Sequence, residues 1–444
     1  MDIFENELNP EQKTAVTHEG SPLLVLAGAG SGKTKVLTYR AIYLVNQFRV
    51  RPEEIVLLTF TNKAAEEMKL RVAKISSGPS GILGTSSPGE LGFAGTFHTF
   101  CARLLRIYGQ HVGLSPNFVI YDTGDSESAL KMAVKQLGLE PKNNKPGMFL
   151  HLISRLKNDL VTMAELEASV NDEFYRKLLS VWRVYDEILT RANAVDFDDL
   201  LTKSVKLLSL PQMKEKMTHR YNYVLVDEYQ DTNKAQFQLT KLLATNPKGL
   251  MVVGDAAQAI YSFRGADFRN LTLLEKEYPE LTTLRLPRNY RSTQTILDAA
   301  YGVIANNLNH PVLKLEAEKN IGDKIELIEA MDEREEAAYV VKVAERLIGR
   351  GETLGVLYRT NAQSRAIEEA LIRAQIDYKL VGGVRFYDRA EIKDLLAYLR
   401  VVYNETDSVS WLRIEGLGKR NKAKFEERLT QKREDFIGKS PREL

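Results

Sequence analysis

The segment that most constrains the fold is AGAGSGKT at residues 27–34. An apolar run at residues 23–26 precedes it, and apolar residues at helical spacing follow from Val36. A strand, a glycine-rich turn and a helix in this order predict a phosphate-binding loop, because backbone N–H groups and the helix amino terminus point toward the anion. Lys33 is placed to reach the outer phosphates, and the Thr34 hydroxyl to bind Mg²⁺. Kinases, GTPases and motors share this loop, so other segments must distinguish them.

A second apolar strand, predicted at residues 223–226, ends in two carboxylates, Asp227 and Glu228. Asp227 is placed to hold Mg²⁺, and Glu228 to orient and deprotonate an attacking water. Alone, an acidic pair after a strand is also typical of a simple turn. Together with the phosphate-binding loop, the pair favours hydrolysis over transfer to a small molecule, since a kinase needs no carboxylate dedicated to water.

Two further residues are candidates for sensing the γ-phosphate. Gln258 follows an apolar strand at residues 250–253, although such a glutamine is also typical of hydrogen bonding within a loop. Arg291 precedes a helix that Ser292 or Thr293 begins. An arginine from a neighbouring domain can stabilise charge on a transferring phosphate, but in isolation it would be one surface arginine among many.

Ten motifs in order resemble those of the superfamily 1 DNA helicases of the UvrD, PcrA and Rep kind. They are LNPEQKTAV, AGAGSGKT, LLTFTNKAAEEM, AGTFHTFCARLLR, DFDDLL, VDEYQDT, GDAAQAIYSFRGA, NYRST, YRTNAQSR and VGGVRFYDRAEIKDLLAYLR. They cover essentially the whole chain and are far more specific than the phosphate-binding loop alone. The resemblance implies an α/β fold with two RecA-like P-loop NTPase domains, the second one incomplete, and with helical insertions.

The resemblance also implies ATP and Mg²⁺ as cofactors and a role for each site residue. Gln12 would read the adenine, Tyr290 would stack on it, and Gln258 and Arg291 would contact the γ-phosphate. The predicted catalytic residues are Glu228, Gln258, Arg291 and Lys33, and the predicted metal ligands are Thr34 and Asp227. The predicted nucleotide-binding residues are Gln12, Ala27, Gly28, Ala29, Gly30, Ser31, Gly32, Lys33, Thr34, Lys35, Tyr290 and Arg291.

Several positions depart from the family's usual residues. Ala27 replaces the first glycine of the loop, and Lys35 stands where these helicases usually have arginine. Ala257 and Ala259 replace an acidic residue and a serine. Phe263 replaces tryptophan, which exchanges one stacking ring for another and predicts a weaker base platform.

Candidate contacts for single-stranded DNA lie where predicted strands end. Aromatic rings that stack on bases and polar or basic groups that contact phosphates hold single strands. A phenylalanine in such a place is also typical of a core, and a lone histidine of a hydrogen-bonded loop, but their occurrence together favours DNA. Nucleotide and DNA can share one edge, since ligands of open α/β sheets bind beyond the carboxyl ends of the strands. The candidates are Phe60, Thr61, Asn62, Thr96, His98, Tyr261, Phe263 and Arg264.

Alternation of strand and helix patterns predicts the domain organisation. The first RecA-like domain is expected at residues 1–104 and 200–284, with a helical insertion at 105–199; the second RecA-like domain follows at 285–385, and a second helical insertion begins at 386–444. In the second α/β unit, strands are expected at 324–330, 353–359 and 378–383, with helices at 333–349 and 361–374. The Gly, Ser and Pro content of residues 76–92 predicts a surface loop. Residues 414–425 resemble a helix-hairpin-helix turn, and a plain turn between two helices is the alternative.

Composition excludes some classes of protein but does not indicate what the protein binds. The 444 residues include 61 Lys plus Arg and 59 Asp plus Glu, and a net charge of +2 neither supports nor excludes nucleic acid. No apolar run reaches the roughly 18 residues that span a membrane. The single cysteine, Cys101, excludes a disulfide framework and predicts core packing. With no signal sequence, the expected location is cytoplasmic.

The leading expectation is therefore an ATP-dependent 3′ to 5′ helicase or translocase in DNA repair or replication. It would act on single-stranded DNA and on junctions of single-stranded and duplex DNA, as a monomer or weak dimer. The family's later motifs, one centred on histidine and Lys-Gly-Leu-Glu and one with another catalytic arginine, are not found in the sequence. An alternative is thus a truncated chain that binds ATP and single strands without unwinding. The motor part of a helicase-nuclease is another, although no nuclease carboxylate cluster follows.

Overall fold

The structure, a computed structural model, describes residues 3–76, 91–140, 142–169, 172–261, 265–307, 312–381 and 390–436. The chain divides into two compact units. Unit 1 comprises Met1–Gly322 and Leu396–Leu444, and unit 2 comprises Asp323–Leu395. Residues 285–322, which the motifs assign to the second RecA-like domain, thus group with unit 1; the predicted domain boundaries stay a prediction. Most of the loop expected at residues 76–92 lies outside the described residues.

The described residues of both units form ten strands, all of them in unit 1, and nineteen α-helices. The strands in the described residues are β1 (Leu23–Ala27), β2 (Ile55–Thr59), β3 (Phe93–Thr96), β4 (Val119–Ile120), β5 (Ala194–Val195), β6 (Tyr223–Val226), β7 (Leu250–Gly254), β8 (Thr282–Leu286), β9 (Arg288–Asn289) and β10 (Glu316–Ala317). The helices are α1 (Ile3–Glu7), α2 (Pro10–Thr17), α3 (Lys33–Gln47), α4 (Asn62–Ser76), α5 (Phe97–Tyr108), α6 (Thr123–Gln136), α7 (Pro146–Asn158), α8 (Met163–Ser169), α9 (Glu173–Arg191), α10 (Phe197–Leu208), α11 (Pro211–Arg220), α12 (Lys234–Leu243), α13 (Arg269–Glu277), α14 (Gln294–Ile304), α15 (Glu333–Ile348), α16 (Ser364–Arg373), α17 (Ala390–Tyr403), α18 (Ser408–Gly416) and α19 (Lys419–Phe436).

The centre of unit 1 is a six-stranded parallel sheet in the order β3, β2, β6, β7, β1, β8. Its inner strands are continuous apolar runs, as expected for a parallel sheet covered by helices on both faces. Because side chains alternate along a strand, Val56 and Leu58 enter one hydrophobic core and Ile55 and Leu57 the other. Cys101 is fully buried in the first core, as predicted, and burial raises the pKa of its thiol to about 12.

A separate hydrophobic core holds the helical insertion together. The helices expected between residues 105 and 199 are present as α6, α7 and α9. In α9, apolar residues at intervals of three and four face inward, including Leu178, Trp182 and Tyr185, and they pack with Leu130 and Phe149. This predicted helical character is confirmed.

Residues of α17 and α18, in the predicted second insertion, contact the first insertion, and these contacts lie within unit 1. Arg400 on α17 donates to the Asp125 carboxylate, and the Tyr121 hydroxyl donates to Asp407 at the start of α18. The turn between α18 and α19 contains Gly418 at a φ of 126°. This geometry is compatible with either interpretation of residues 414–425, a duplex-binding hairpin or a plain turn.

Unit 2 contains the expected helices, α15 and α16, which pack on each other. The strands expected at residues 324–330 and 353–359 are wrong: the described residues there are assigned to no strand, and neither are residues 378–381. A strand forms only where a neighbour pairs its backbone groups. Leu327 and Leu357 are instead 95% and 97% exposed.

No helix in the ranges described above is long and apolar enough to span a membrane.

Candidate nucleotide site and nucleic-acid interface

The predicted site residues lie at the carboxyl edge of the parallel sheet. The phosphate-binding loop follows β1, the two carboxylates follow β6, and Gln258 follows β7. Phe60 follows β2, whose last residue pairs in register with Thr96 at the end of β3. Parallel strands bring all these ends to one edge, which is where open α/β sheets bind ligands.

The phosphate-binding loop curls because two of its glycines adopt left-handed backbone angles. Gly30 has a φ of 76° and Gly32 a φ of 89°. Within the loop, the Ser31 amide and hydroxyl both donate to the Gly28 carbonyl oxygen, at 3.2 and 2.8 Å. Helix α3 begins at Lys33, so the free N–H groups of its first turn face the loop. This arrangement fits an anion at the helix amino terminus.

The two predicted carboxylates meet the loop side chains directly. Lys33 Nζ lies 2.7 Å from Glu228 Oε2, and Thr34 Oγ1 donates to Asp227 Oδ2 at 3.2 Å. These pairs join residues almost two hundred positions apart in sequence, as the separations of 195 and 193 show. The structure therefore brings the predicted catalytic base and metal ligand to the phosphate-binding loop.

Glu228 is held in a strained backbone conformation. Its φ of 50° lies in the left-handed region, which a non-glycine residue adopts at an energetic disadvantage. Strain of this kind is concentrated at functional sites. Gln230 Nε2 donates to Glu228 Oε2 at 2.9 Å, while Gln230 Oε1 accepts from the Asp255 amide at 2.9 Å. Gln230 thus fixes the Glu228 carboxylate relative to the end of β7.

The oxygen ligands available beside the loop suit Mg²⁺. Burial, together with the charge of Glu228, raises the pKa of Asp227 to about 7. A cation beside this carboxylate would favour its ionised form. The described part of the chain has no group of three or more His, Cys, Asp or Glu side chains that could hold a metal. Thr34 and Asp227 fit a Mg²⁺ ion that takes its remaining ligands from phosphate oxygens and water, as is usual for this ion.

Residues 289–292 pack against the phosphate-binding loop within unit 1. The Tyr290 amide donates to the Gly30 carbonyl oxygen at 2.9 Å, and the Asn289 side-chain amide donates to the Ala29 carbonyl oxygen. Asn289 Oδ1 also accepts from the Arg291 amide at 2.9 Å. Tyr290 and Arg291 are therefore beside the predicted nucleotide, with their side chains exposed.

Gln12 lies against the loop as well. Its Nε2 donates to the Ser31 carbonyl oxygen at 2.8 Å, and its side chain completes a capping box with Asn9 at the start of α2. Asn9 Nδ2 in turn donates to the Tyr290 hydroxyl at 2.8 Å. The two predicted adenine contacts, Gln12 and Tyr290, are thus linked through one residue.

Two predicted nucleotide contacts have other partners. Lys35 Nζ donates to the Glu7 carbonyl oxygen and lies 5.5 Å from the centre of the Tyr39 ring. Gln258 Nε2 donates to Asp255 Oδ2 at 2.6 Å. The roles assigned to Lys35 and Gln258 stay predictions.

An aromatic pair marks the predicted single-strand contacts. The Phe60 and Tyr261 rings lie 5.1 Å apart, centre to centre, and are tilted by 35°. Both rings are partly exposed, so each leaves area on which a base could stack. Phe263 and Arg264 lie outside the described residues.

The other predicted DNA contacts also take part in local structure. Thr96 caps α5 by accepting from the Thr99 amide at 3.2 Å, and Thr61 accepts from the Ala64 amide at 3.2 Å beside the exposed Asn62. Burial lowers the pKa of His98, and its ring meets Phe197 edge-on at 5.8 Å. A neutral His98 would contact DNA through its ring or a hydrogen bond and not through charge. The DNA contacts stay predictions.

Sequence reasoning missed two buried amides. Asn289 is 1% exposed and joins the phosphate-binding loop to residues 290–292, and Gln230 is 1% exposed and holds Glu228. Both lie within motifs that were recognised, but the residues beside them carry the more reactive groups. The signal that could have found them is a polar residue a few positions after an apolar strand, as Gln230 follows β6 and Asn289 follows β8.

A parallel sheet with this loop, helix and carboxylate pair defines the P-loop NTPase class. Comparison of sequences is more specific: the profile of the UvrD/REP helicase N-terminal domain matches residues 8–279, and that of the UvrD-like helicase C-terminal domain matches residues 284–441. The chain belongs to the UvrD/REP helicase family, as the ordered motifs predict.

Curated relatives agree with this assignment. The chain is 43% identical over 424 residues to a protein of Staphylococcus aureus named ATP-dependent DNA helicase PcrA, and it has the same identity over the same length to the protein of that name from Staphylococcus epidermidis. The match covers 95% of this chain and 57% of each relative. The chain thus spans somewhat more than half the length of these relatives.

Proposed function

We propose that this protein is an ATP-dependent DNA helicase that translocates 3′ to 5′ along single-stranded DNA in repair or replication. The observation that carries the proposal is the meeting of Lys33 with Glu228 and of Thr34 with Asp227 at the edge of the sheet where Phe60 follows β2 and contacts Tyr261. Family membership and the relatives named as DNA helicases support the same activity. The direction of movement follows the family and is part of the proposal.

Hydrolysis would be carried out by the residues around the phosphate-binding loop. Lys33 would neutralise charge on the outer phosphates, and Glu228 would orient a water for in-line attack and take its proton. Gln230 would keep the carboxylate in that orientation through its 2.9 Å hydrogen bond. Thr34 and Asp227 would hold Mg²⁺, whose charge would offset that of the phosphates.

The DNA strand would lie on the same edge, with a base stacked on the Phe60 and Tyr261 rings. Base stacking on aromatic side chains tolerates any sequence, as a translocase requires. We further propose that the substrate is a junction of single-stranded and duplex DNA, that a monomer or weak dimer acts, and that the protein works in the cytoplasm. The single, fully buried cysteine is compatible with a reducing compartment.

The test compares unwinding by the full-length wild-type protein and its Lys33→Ala variant. Wild-type protein with ATP and Mg²⁺ should unwind a duplex with a 3′ tail and leave one with a 5′ tail intact. Lys33→Ala should lose at least about 100-fold in unwinding rate, because the outer phosphates lose their charged partner. Lys131→Ala, which removes a lysine with a 60% exposed side chain on α6, is the matched control and should unwind normally. Equal unwinding by Lys33→Ala and wild type, or a preference for 5′ tails, would contradict the proposal.

A further inference from the structure

We propose that Asn158, at the end of α7 in the helical insertion, is a positioning residue that couples stacking of a base on Tyr261 to the Glu228 loop. The inference rests on the proposed function. Asn158 is 6% exposed and belongs to no motif quoted for the nucleotide or the DNA. It is nevertheless the point where three parts of unit 1 meet.

The first contact joins the insertion to the segment that carries the catalytic carboxylate. Asn233 Nδ2 donates to Asn158 Oδ1 at 2.6 Å. Asn233 is the N-cap of α12, where its Oδ1 accepts from the Gln236 amide at 2.9 Å. Only four residues lie between Glu228 and Asn233, and a short 3₁₀ turn at Tyr229–Asp231 fills most of that distance. Displacement of Asn233 would therefore shift the Glu228 loop.

The second contact joins the pair to the segment that follows Tyr261. A Cβ atom added at Gly265 would lie 3.6 Å from Asn158 Cβ and 3.9 Å from Asn233 Cβ, so Gly265 lies beside the Cβ atoms of both asparagines. Two residues later, the Asp267 amide donates to the Thr232 carbonyl oxygen at 3.1 Å. The Ala266 amide donates to the Tyr261 carbonyl oxygen at 3.3 Å, so displacement of Tyr261 when a base stacks on it would reach the Glu228 loop through residues 265–267, Thr232 and the two asparagines.

The third contact anchors Asn158 itself. Its Nδ2 donates to Asp198 Oδ1 at 2.9 Å, at the start of α10. The preceding residue, Lys157, is buried and lies 2.7 Å from carboxylate oxygens of both Asp196 and Asp199. Buried polar groups whose partners are all satisfied hold one specific arrangement. Asn158 is consequently a fixed point on the insertion against which the other two segments are positioned.

A role limited to stability would not require an amide here. When both partners of a buried hydrogen bond are replaced by apolar groups of the same shape, little stability is lost. Coupling, in contrast, needs a hydrogen bond that transmits displacement between Asn158 and Asn233. A role in stability would change the free energy of unfolding, whereas a role in coupling would change how strongly DNA stimulates ATP hydrolysis.

The experiment uses the full-length protein with Asn158→Ala, Asn233→Ser and the double variant. Serine is a good N-cap but too short to reach Asn158, so Asn233→Ser keeps the cap and removes the coupling bond. The matched control is Asn144→Ala, which removes a buried asparagine of the same insertion that donates to the Glu140 carbonyl oxygen at 3.0 Å. The first readout is the ratio of kcat for ATP hydrolysis with and without a saturating single-stranded oligonucleotide.

We expect both single variants to lose about tenfold in this ratio, a typical size for coupling between sites, with little change in KM for ATP. The double variant should equal either single variant, because both break one bond. Asn144→Ala should behave as wild type. Wild-type stimulation in Asn158→Ala, or additive losses in the double variant, would overturn the inference.

A second readout separates this inference from the proposed function. Hydrogen exchange of the backbone amides of residues 228–232 should be faster in Asn158→Ala and Asn233→Ser than in wild type and Asn144→Ala. If DNA fails to stimulate even the wild-type protein, the helicase proposal fails, and the exchange rates alone test whether Asn158 positions the loop. Unchanged exchange would then overturn the inference.

Discussion

At the scale of single residues, the site depends on backbone angles and on pairs of charges. Glu228 is 32% exposed at its side chain and contacts Lys33, whose side chain is 8% exposed, so the carboxylate can meet both the loop and a solvent molecule. Gly30 has a left-handed φ, and its Cα faces Arg291. Each contact joins two residues that are far apart in the sequence and that the fold brings together.

Glu228→Gln should abolish hydrolysis while keeping ATP binding. The amide retains the shape of the carboxylate but cannot take a proton from water, and loss of a general base lowers rates by about 10²- to 10⁴-fold. Single-turnover phosphate release and nucleotide binding measure the two effects. Glu187→Gln, which changes a side chain on α9 that is 56% exposed, is the control and should match wild type. Phosphate release within about tenfold of wild type would exclude Glu228 as the base.

Gly30→Ala should destabilise the protein and weaken nucleotide binding. The new Cβ would lie 2.6 Å from Arg291 Cβ, in addition to the strain at a φ of 76°. Gly138→Ala isolates the strain, since its φ is 66° and nothing lies within 4 Å. The free energy of unfolding should fall by about 1 kcal/mol in Gly138→Ala and by about 2–3 kcal/mol in Gly30→Ala. Urea denaturation measures both, and equal losses would show that Gly30 and Arg291 are not in close contact.

At the scale of elements, buried charges hold α7 against α10. Burial opposes the charge of Lys157, yet Asp196 and Asp199 raise its pKa well above the usual value. Burial likewise opposes ionisation of Asp196, but Lys157 holds the pKa of Asp196 below its usual value. Tyr185 completes the cluster by donating to Asp196 Oδ2 at 2.9 Å. The cluster fixes the end of α7, and with it Asn158.

Lys157→Ala should lower the free energy of unfolding by about 3–5 kcal/mol, because it leaves buried carboxylates without a counter-charge. In wild type, the lowered pKa of Asp196 means stability that is present above the unfolded pKa of about 3.8 and lost as pH falls, whereas burial and the charge of Asp196 raise the pKa of Asp199, which loses stability as pH rises. In the variant, burial without Lys157 raises the folded pKa, so stability is lost as pH rises. The difference between variant and wild type should consequently be larger at pH 8 than at pH 5. Chemical denaturation at both values tests this, and a constant difference would contradict it.

At the scale of the whole molecule, the two units differ in how much backbone is paired. The sheet of unit 1 has helices on both faces, and its strands β1, β6 and β7 are largely buried. In unit 2, residues 324–330 and 353–359 are assigned to no strand and expose large apolar side chains. Local stability follows burial and hydrogen bonding, so it should vary along the chain.

Hydrogen exchange should therefore be slowest in β1, β6 and β7 and fast at residues 324–330 and 353–359. Mass spectrometry of peptides from the full-length protein measures the rates, with the paired helices α15 and α16 as an internal comparison in unit 2. Slow exchange at residues 353–359 would show that this segment is paired as a strand in solution.

Much of the site was predictable because its chemistry is local. The loop at residues 27–34, the carboxylates that end β6 and the helix α9 each follow from short-range spacing, and the structure contains each of them. That the loop and the acidic pair form one site is predicted from their complementary chemistry, since no local pattern joins Lys33 and Glu228, which are 195 positions apart. The strands expected in unit 2 show where local patterns fail. An apolar run predicts burial, but a strand also needs a neighbouring strand that pairs its backbone groups.

Spacing and residue type alone determine the phosphate-binding loop, the acidic pair and the family, because each depends on a few neighbouring residues. Tertiary structure alone reveals that Asn289 and Gln230 are buried links in the site and that Asn158 contacts the Glu228 segment through Asn233. These amides carry no charge or reactivity that a sequence pattern can mark. Their significance comes from which distant backbone and side-chain atoms the fold brings within hydrogen-bonding distance.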